Sequence, residues 1–133
     1  MKRLSSFIAY AVLALALFVL AGCASAQVSS QKTKLYQQIG LASFYAHKFH
    51  GRATASGEIY DMNKFTAAHP QLPFGTFVRV TNLKNKKSVV LKVNDRGPVS
   101  KKRIIDVSYK AAQELGFVRD GLVKVRLEIV KAN

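Results

Sequence analysis

Two acidic residues lie where a carboxyl group could take part in chemistry. The chain has only seven Asp and Glu residues, and two of them, Glu58 and Asp95, lie in the glycine-bearing segments 54–58 and 94–98. Irregular segments on a rigid scaffold often carry functional residues. Paired carboxyls can break a glycosidic bond, one protonating the leaving oxygen while the other stabilises positive charge at the ring carbon. An aspartate in a Gly-Pro turn can equally serve to hold backbone N–H groups, so spacing alone leaves both interpretations open.

The three histidines do not indicate a metal site. His69 precedes Pro70, which favours extended backbone, and its ring could either hydrogen-bond a carboxylate and tune its pKa or fill a polar corner. His47 and His50 have no partnering cysteine and no His-Glu-x-x-His helix. We therefore expect neither a metal nor another cofactor.

Short strands make up most of the scaffold that must position these residues. Runs of β-branched residues predict strands over 76–81 and 88–93, joined by a polar connection of hairpin length. Residues 123–129 alternate between apolar and polar, which predicts a strand with one buried face, and 41–45 and 103–107 are further candidates. Ser108 and Gly116 are suited to cap a helix over 109–115. Many short strands with one short helix predict a small barrel or sandwich.

The amino terminus has the pattern of an export signal. Lys2 and Arg3 precede an uncharged stretch over residues 4–21, and small residues follow it, which favours a cleaved leader over a permanent membrane helix. Cys23 is the only cysteine, and it ends the sequence LAGC, typical of a bacterial lipobox in which the thiol takes a diacylglycerol. Cleavage after Ala26 would instead release a secreted protein.

These signals divide the chain into three parts. We expect a lipoprotein signal peptide over residues 1–22, the lipidated cysteine and a linker over 23–39, and one folded domain over 40–131. The formal net charge of +14 favours polyanionic partners. For an exported protein these are anionic cell-wall glycans and lipid headgroups, and we expect no binding to nucleic acid.

The motifs along this domain resemble the rare lipoprotein A (RlpA) family of bacterial envelope proteins. The matching segments are 40–45, 49–58, 60–62, 65–69, 72–76, 78–83, 93–98 and 103–108. They follow one another in order and cover nearly the whole domain. The resemblance implies a mainly β fold, a six-stranded double-psi β-barrel with one or two short helices. The lipobox at Cys23 agrees independently, and we expect a monomeric protein of the cell envelope, anchored by lipid to a membrane (the periplasmic face of the outer membrane in a Gram-negative cell).

The same resemblance implies a peptidoglycan lytic transglycosylase. Such an enzyme cleaves the β-1,4 bond between N-acetylmuramic acid and N-acetylglucosamine without water and leaves 1,6-anhydro ends. Motif by motif, the functional acids fall on Glu58 and Asp95, and the functional histidine falls on His69. We expect Asp95 to act as acid and base with Glu58 assisting, although the two roles could be reversed. His69 would orient or tune one of the carboxyls.

Four further residues are candidates for substrate binding, and each has a structural alternative: Tyr45, Arg52, Asn94 and Arg96. The sequence departs from the family pattern at Phe44, where many relatives carry tryptophan, and in ending directly after the last predicted strand, without the peptidoglycan-binding module of longer relatives. The alternative function is a non-catalytic, expansin-like module that binds or loosens the wall, because barrels of this kind in the plant expansins act on polysaccharide without clear hydrolysis.

Overall fold

The computed structural model describes residues 36–132. The expected signal peptide, Cys23 and nearly all of the expected linker lie outside the described residues. Within them, a 3₁₀ turn at His47–Phe49 and one α-helix accompany six strands. The elements are β1 (Gln37–Phe44), β2 (Thr66–Ala68), β3 (Phe77–Asn82), β4 (Ser88–Asp95), β5 (Arg103–Val107), α1 (Tyr109–Leu115) and β6 (Val123–Lys131).

The six strands close into a barrel in the order β1-β5-β2-β4-β3-β6. The pairs β1–β5 and β2–β4 are parallel, and the other four pairs are antiparallel. Closure gives every one of these strands two neighbours, which removes unpaired sheet edges. The mainly β, six-stranded barrel expected from the sequence is confirmed.

The barrel interior is filled by the apolar faces that the alternating patterns predict. On β6, Val123, Val125 and Leu127 point inward, as the strict alternation requires. They pack with Val78, Val80, Leu91, Val93, Ile105 and Val107 from the other strands. Among residues 36–132, no helix is both long enough and apolar enough to cross a membrane.

Helix α1 begins and ends at the residues that the sequence predicts. The Ser108 hydroxyl accepts a hydrogen bond from Ala111 N at 3.2 Å, and Gly116 adopts a left-handed conformation with φ of 73°. The helix buries Ala111, Ala112 and Leu115 against the barrel. Its packing closes one side of the core.

Strands β1, β2 and β4 differ from the sequence prediction in ways that concern the candidate residues. Strand β1 begins at Gln37, before the expected domain start at Gly40, because residues 37–40 pair with β6 although they lack a regular apolar pattern. Strand β2 was missed because three residues are too few to show a period, yet all three are buried. Strand β4 continues to Asp95, which pairs with Ala68. Asp95 therefore ends a strand rather than lying in an irregular loop.

Candidate functional site

Glu58 lies on a tight loop that is held against the end of β4. An isolated bridge between Ala53 and Ile59 closes the loop, and Thr54 donates to the Glu58 carbonyl from both its backbone N–H and its hydroxyl, each at 2.8 Å. The backbone N–H of Ser56 donates to Asn94 O at 3.2 Å. We call residues 54–58 the acid loop. The backbone hydrogen bonds of this loop fix the position of Glu58 at the end of β4.

Asp95 is held at the same end of the barrel by three donors. Its Oδ1 accepts from the backbone N–H groups of Ala55 and Arg96, at 2.8 and 2.9 Å. Its Oδ2 accepts from the Tyr45 hydroxyl at 2.6 Å. One donor comes from the acid loop, one from the residue after β4 and one from the residue after β1. Three independent parts of the chain therefore set the orientation of this carboxyl group.

The Glu58 carboxyl group lies over β4 and meets a cation. Lys92 Nζ lies 2.9 Å from its Oε1, and Asn94 Nδ2 donates to its Oε2 at 3.4 Å. The hydrogen bond from Lys92 is the main cause that holds the pKa of Glu58 below its usual value, against the opposing effect of burial. Half of the side chain remains exposed, so the group can still meet a ligand. Glu58 is thus placed to be a carboxylate at neutral pH.

His69 is joined to Asp95 through the main chain and not through its ring. Its backbone N–H donates to Asp95 O at 3.1 Å. Ring Nδ1 accepts from the N–H groups of Gln71 and Leu72, at 3.1 and 3.0 Å, so the ring proton lies on Nε2, 3.1 Å from Gln38 Oε1. Burial, assisted by the Arg96 charge, lowers the pKa of His69 to about 4. The ring is therefore neutral, and within residues 36–132 it has no hydrogen bond to a carboxylate.

Arg96 braces the segment that carries His69. Its Nη1 donates to the carbonyls of His69 and Leu72, at 3.2 and 2.8 Å, and its guanidinium lies 4.0 Å from the centre of the Phe74 ring. Donors directed into the protein in this way hold backbone carbonyls that would otherwise lack partners. These contacts agree with a structural role for Arg96. A role of Arg96 in substrate binding stays a prediction.

Tyr45, which donates to Asp95, belongs to a cluster of aromatic rings. Tyr45 stacks on Tyr60 with ring centres 4.4 Å apart and meets Phe49 edge-on at 6.0 Å. Arg52 lies 5.7 Å from the centre of the Phe49 ring. Burial and the hydrogen bond to Asp95 raise the pKa of Tyr45, so its phenol keeps its proton and remains a donor. Tyr45, Phe49 and Arg52 thus form an aromatic and cationic cluster that contacts Asp95 through the Tyr45 hydroxyl.

The structure thus brings most of the predicted residues to one end of the barrel. Asp95, Glu58, Asn94 and Tyr45 meet around the acid loop, while His69 contributes through its backbone. Lys92 and Gln38, which the sequence analysis did not select, are the partners of Glu58 and His69. Lys92 lies two residues before Asn94 on the same strand, so the alternation of β4 could have placed it on the Asn94 side. For the part of the chain from 36 to 132, no group of His, Cys, Asp or Glu is arranged to hold a metal ion.

Comparisons with known proteins place this arrangement in a family. A family model described as "Lytic transglycolase" matches residues 37–127. The endolytic peptidoglycan transglycosylase RlpA of Neisseria meningitidis is 59% identical over 93 residues, 70% of this chain and 39% of that protein. The protein of the same name from Pseudomonas aeruginosa is 52% identical over 95 residues, 71% of this chain and 28% of that protein. The chain therefore spans about two-fifths or less of these relatives.

Solved structures with the same fold are more distant in sequence. The Streptomyces papain inhibitor superposes with a TM-score of 0.59 at 22% identity, over 72% of this chain and 96% of that one. A mutant Clavibacter michiganensis expansin in complex with cellohexaose superposes with a TM-score of 0.57 at 19% identity, over 72% of this chain and 51% of that one. At such identities the likeness concerns the fold. The match of residues 37–127, the identity to the relatives and the closed six-stranded barrel together show that this chain belongs to the RlpA family of double-psi β-barrel proteins.

Proposed function

We propose that this domain is an endolytic peptidoglycan lytic transglycosylase. The observation that carries the proposal is the placement of Glu58 and Asp95 at one end of the barrel. Asn94 donates to Glu58, and the next residue, Asp95, accepts from the loop that carries Glu58. The names of the RlpA relatives support the same activity. The substrate is the bond between N-acetylmuramic acid and N-acetylglucosamine in a glycan strand.

The proposed reaction needs one proton donor and consumes no water. Asp95 donates its proton to the glycosidic oxygen, which leaves as the 4-hydroxyl of N-acetylglucosamine. The C6 hydroxyl of the muramic acid attacks the anomeric carbon, forming the C6–O–C1 bond of the anhydro ring. The proton lost from that hydroxyl returns to Asp95, so the enzyme ends in the state in which it began.

The environment of Glu58 supports its part in this division of roles. Lys92 lowers the pKa of Glu58, which suits it to stay ionised and stabilise the positive charge that develops at the anomeric carbon. A group of this kind is a poor resting proton donor, which leaves the acid role to Asp95. Tyr45 and the two backbone N–H groups orient Asp95. His69 acts as a positioning residue, through its backbone contact with the Asp95 carbonyl.

Single carboxyl-to-amide variants test the proposal. Intact and peptide-free glycan strands are incubated with the purified domain, with Asp95→Asn and with Glu58→Gln, and products are identified by mass spectrometry. Asp120→Asn is the matched control, because Asp120 pairs with Lys84 on the exposed surface. We expect 1,6-anhydro ends from the unaltered domain and the control, and none from Asp95→Asn. Reducing ends would indicate a hydrolase, and binding without products would indicate an expansin-like module.

We also propose that the domain works from a membrane of the bacterial envelope, held by a lipid on Cys23. Support comes from the sequence LAGC, which ends at Cys23. It also comes from residues 1–26, in which a basic start is followed by an uncharged stretch and then by small residues. A fatty-acid label should enter the full chain and be lost in Cys23→Ala. Incorporation that survives this substitution would contradict the anchor, as would secretion of unlabelled protein cleaved after Ala26.

A further inference from the structure

A second cleft lies behind His69, outside the cluster of carboxyl groups. Its volume is about 360 Å³, and it is bounded by β1, by the segment after β2 and by the loop between β4 and β5. Neither Glu58, Asp95 nor Tyr45 lines it. His69 lies between the cleft and the carboxyl cluster, because its ring lines the cleft while its backbone N–H donates to Asp95 O. A ligand in this cleft would therefore be next to the reaction site without occupying it.

Two polar side chains of the cleft have donors available. Gln38 Oε1 already accepts from His69 Nε2 and from the Tyr36 hydroxyl, both at 3.1 Å, and within residues 36–132 the amide nitrogen of Gln38 has no acceptor. Ser100 Oγ accepts from Lys102 N at 3.3 Å, which leaves its own proton to donate. A ligand that supplies acceptors would give the unused donors of Gln38 and Ser100 their hydrogen-bond partners.

The charge of the cleft is positive. Lys101 and Arg103 line it, and no Asp or Glu is among its lining residues. Arg103 Nε lies 3.3 Å from Asp106 Oδ1, a contact that leaves the two terminal nitrogens of the guanidinium for another acceptor. The ring of His69 is neutral, since burial lowers its pKa to about 4. Two cations and two neutral donors facing one space are the chemistry that recognises a carboxylate.

The remaining lining is apolar apart from Gln71. Pro70, Pro98, Val99 and Ile104 supply its apolar part, and Val99 is 99% exposed at the rim. Pockets that bind small molecules combine such apolar walls with a few directed polar groups. The volume is at the small end of such pockets, so it suits one substituent of a polymer rather than several sugar rings.

We propose that this basic cleft is a subsite for a carboxylate group carried by the glycan strand. The inference rests on the proposed function, because that function makes a muramic-acid polymer the ligand. The carboxylate is either the free lactyl group of a muramic acid or the end of a peptide attached to it, two sources of one chemistry. Binding there would hold the strand against His69 and set which sugar reaches Asp95.

The first test measures binding without catalysis. N-Acetylmuramic acid, its methyl ester, N-acetylglucosamine and muramyl dipeptide are titrated into the isotope-labelled full chain, and amide chemical shifts are followed by NMR. We expect saturable shifts at Gln38, Ser100 and Lys101 with the free acid and none with the ester or the neutral sugar. Stronger binding of the dipeptide than of the acid assigns the peptide as the source, and weaker binding assigns the lactyl group. Equal shifts with acid and ester, or no shifts at these residues, would overturn the proposal.

A matched pair of variants gives the second test. Lys101→Gln removes a charge that lines the cleft, whereas Lys102→Gln removes the same charge from its exposed neighbour, which does not line it. Loss of one exposed ion pair should weaken binding of N-acetylmuramic acid about fivefold in Lys101→Gln and leave Lys102→Gln unchanged. On glycan strands, Lys101→Gln should raise KM and leave kcat unchanged. Equal effects of the two variants would refute the subsite.

The two proposals fail in different ways. The release of anhydro ends measures the proposed reaction, and the NMR titration measures ligand binding in the cleft. A domain that releases anhydro ends but shows no response to the acid keeps the proposed function and loses the subsite. A domain that binds the acid and forms no anhydro ends loses the proposed reaction.

Discussion

Replacing Tyr45 with phenylalanine removes one oxygen atom from the proposed active site and little else. That oxygen donates to Asp95 Oδ2 at 2.6 Å. The ring that stacks on Tyr60, with centres 4.4 Å apart, remains in Tyr45→Phe, so the aromatic cluster should persist. Asp95 keeps the two backbone donors on Oδ1 and loses the donor on Oδ2. The variant therefore tests whether the orientation of this carboxyl group matters for the reaction.

The structure sets the size of the expected effect. A hydrogen bond contributes about 0.5–1.5 kcal/mol between neutral groups and about 1.5–3 kcal/mol when one group is charged. Because Asp95 changes charge during the proposed reaction and is half-buried, we expect about 1.5–2 kcal/mol. If this energy is used to orient the acid, kcat/KM should fall about ten- to thirtyfold. The release of 1,6-anhydro ends from peptide-free glycan strands, measured over time by mass spectrometry, gives the rate.

Tyr60→Phe is the matched control. The Tyr60 hydroxyl accepts from Tyr109 N at 3.2 Å and has no contact with Asp95, so its loss should cost stability and not activity. The cost should be about 1 kcal/mol, or about 4–8 °C in Tm for a domain of this size. Full activity of Tyr45→Phe, or an equal loss of activity in both variants, would refute the role assigned to the Tyr45 hydroxyl.

Two further predictions concern pH. Because burial lowers the pKa of His69 to about 4 from its usual 6.5, the folded state resists its protonation. The contribution of His69 to the free energy of unfolding should be fully present above pH 6.5 and should fall by about 3 kcal/mol as the pH drops toward 4. Urea unfolding at several pH values should show this dependence, and His69→Gln should weaken it. Lys92→Met should raise the pKa of Glu58 toward its usual 4.5, whereas Lys84→Met should not, as carbon-13 titration of the carboxyl can show. The Lys92–Glu58 contribution to stability should be present above pH 4.5 and be lost as the pH falls through the lowered pKa. A pH-independent unfolding free energy, or an unmoved Glu58 titration, would contradict these expectations.

Local patterns in the sequence were sufficient for most of the scaffold. The alternation of residues 123–129 predicted β6, and Ser108 and Gly116 predicted both ends of α1, because period and capping depend on neighbours in the chain. Strand β2 carries no such signal. Its Thr66, Ala67 and Ala68 form a strand because β4 and β5 lie on either side of them, which is a tertiary effect.

The candidate site could be named from motifs but not assembled from them. The acids Glu58 and Asp95 were selected by their segments, yet the contact between Tyr45 and Asp95 joins residues 50 positions apart. The partner of the His69 ring, Gln38, lies in a stretch that its polar composition assigned to the linker. Such contacts depend on how the barrel closes, and no local spacing encodes that closure.

The place of β1 in the barrel constrains how the domain folds. Strand β1 is held between β5 and β6, and Gln37 pairs with Glu128 near the far end of the described chain. During synthesis both edges of β1 therefore remain unpaired until β5 and β6 have been synthesised. Contacts so distant along the chain slow folding, and open strand edges invite association with other chains. The barrel should thus form in one late, cooperative step, and a nascent or truncated chain that lacks β6 should depend on chaperones to remain soluble.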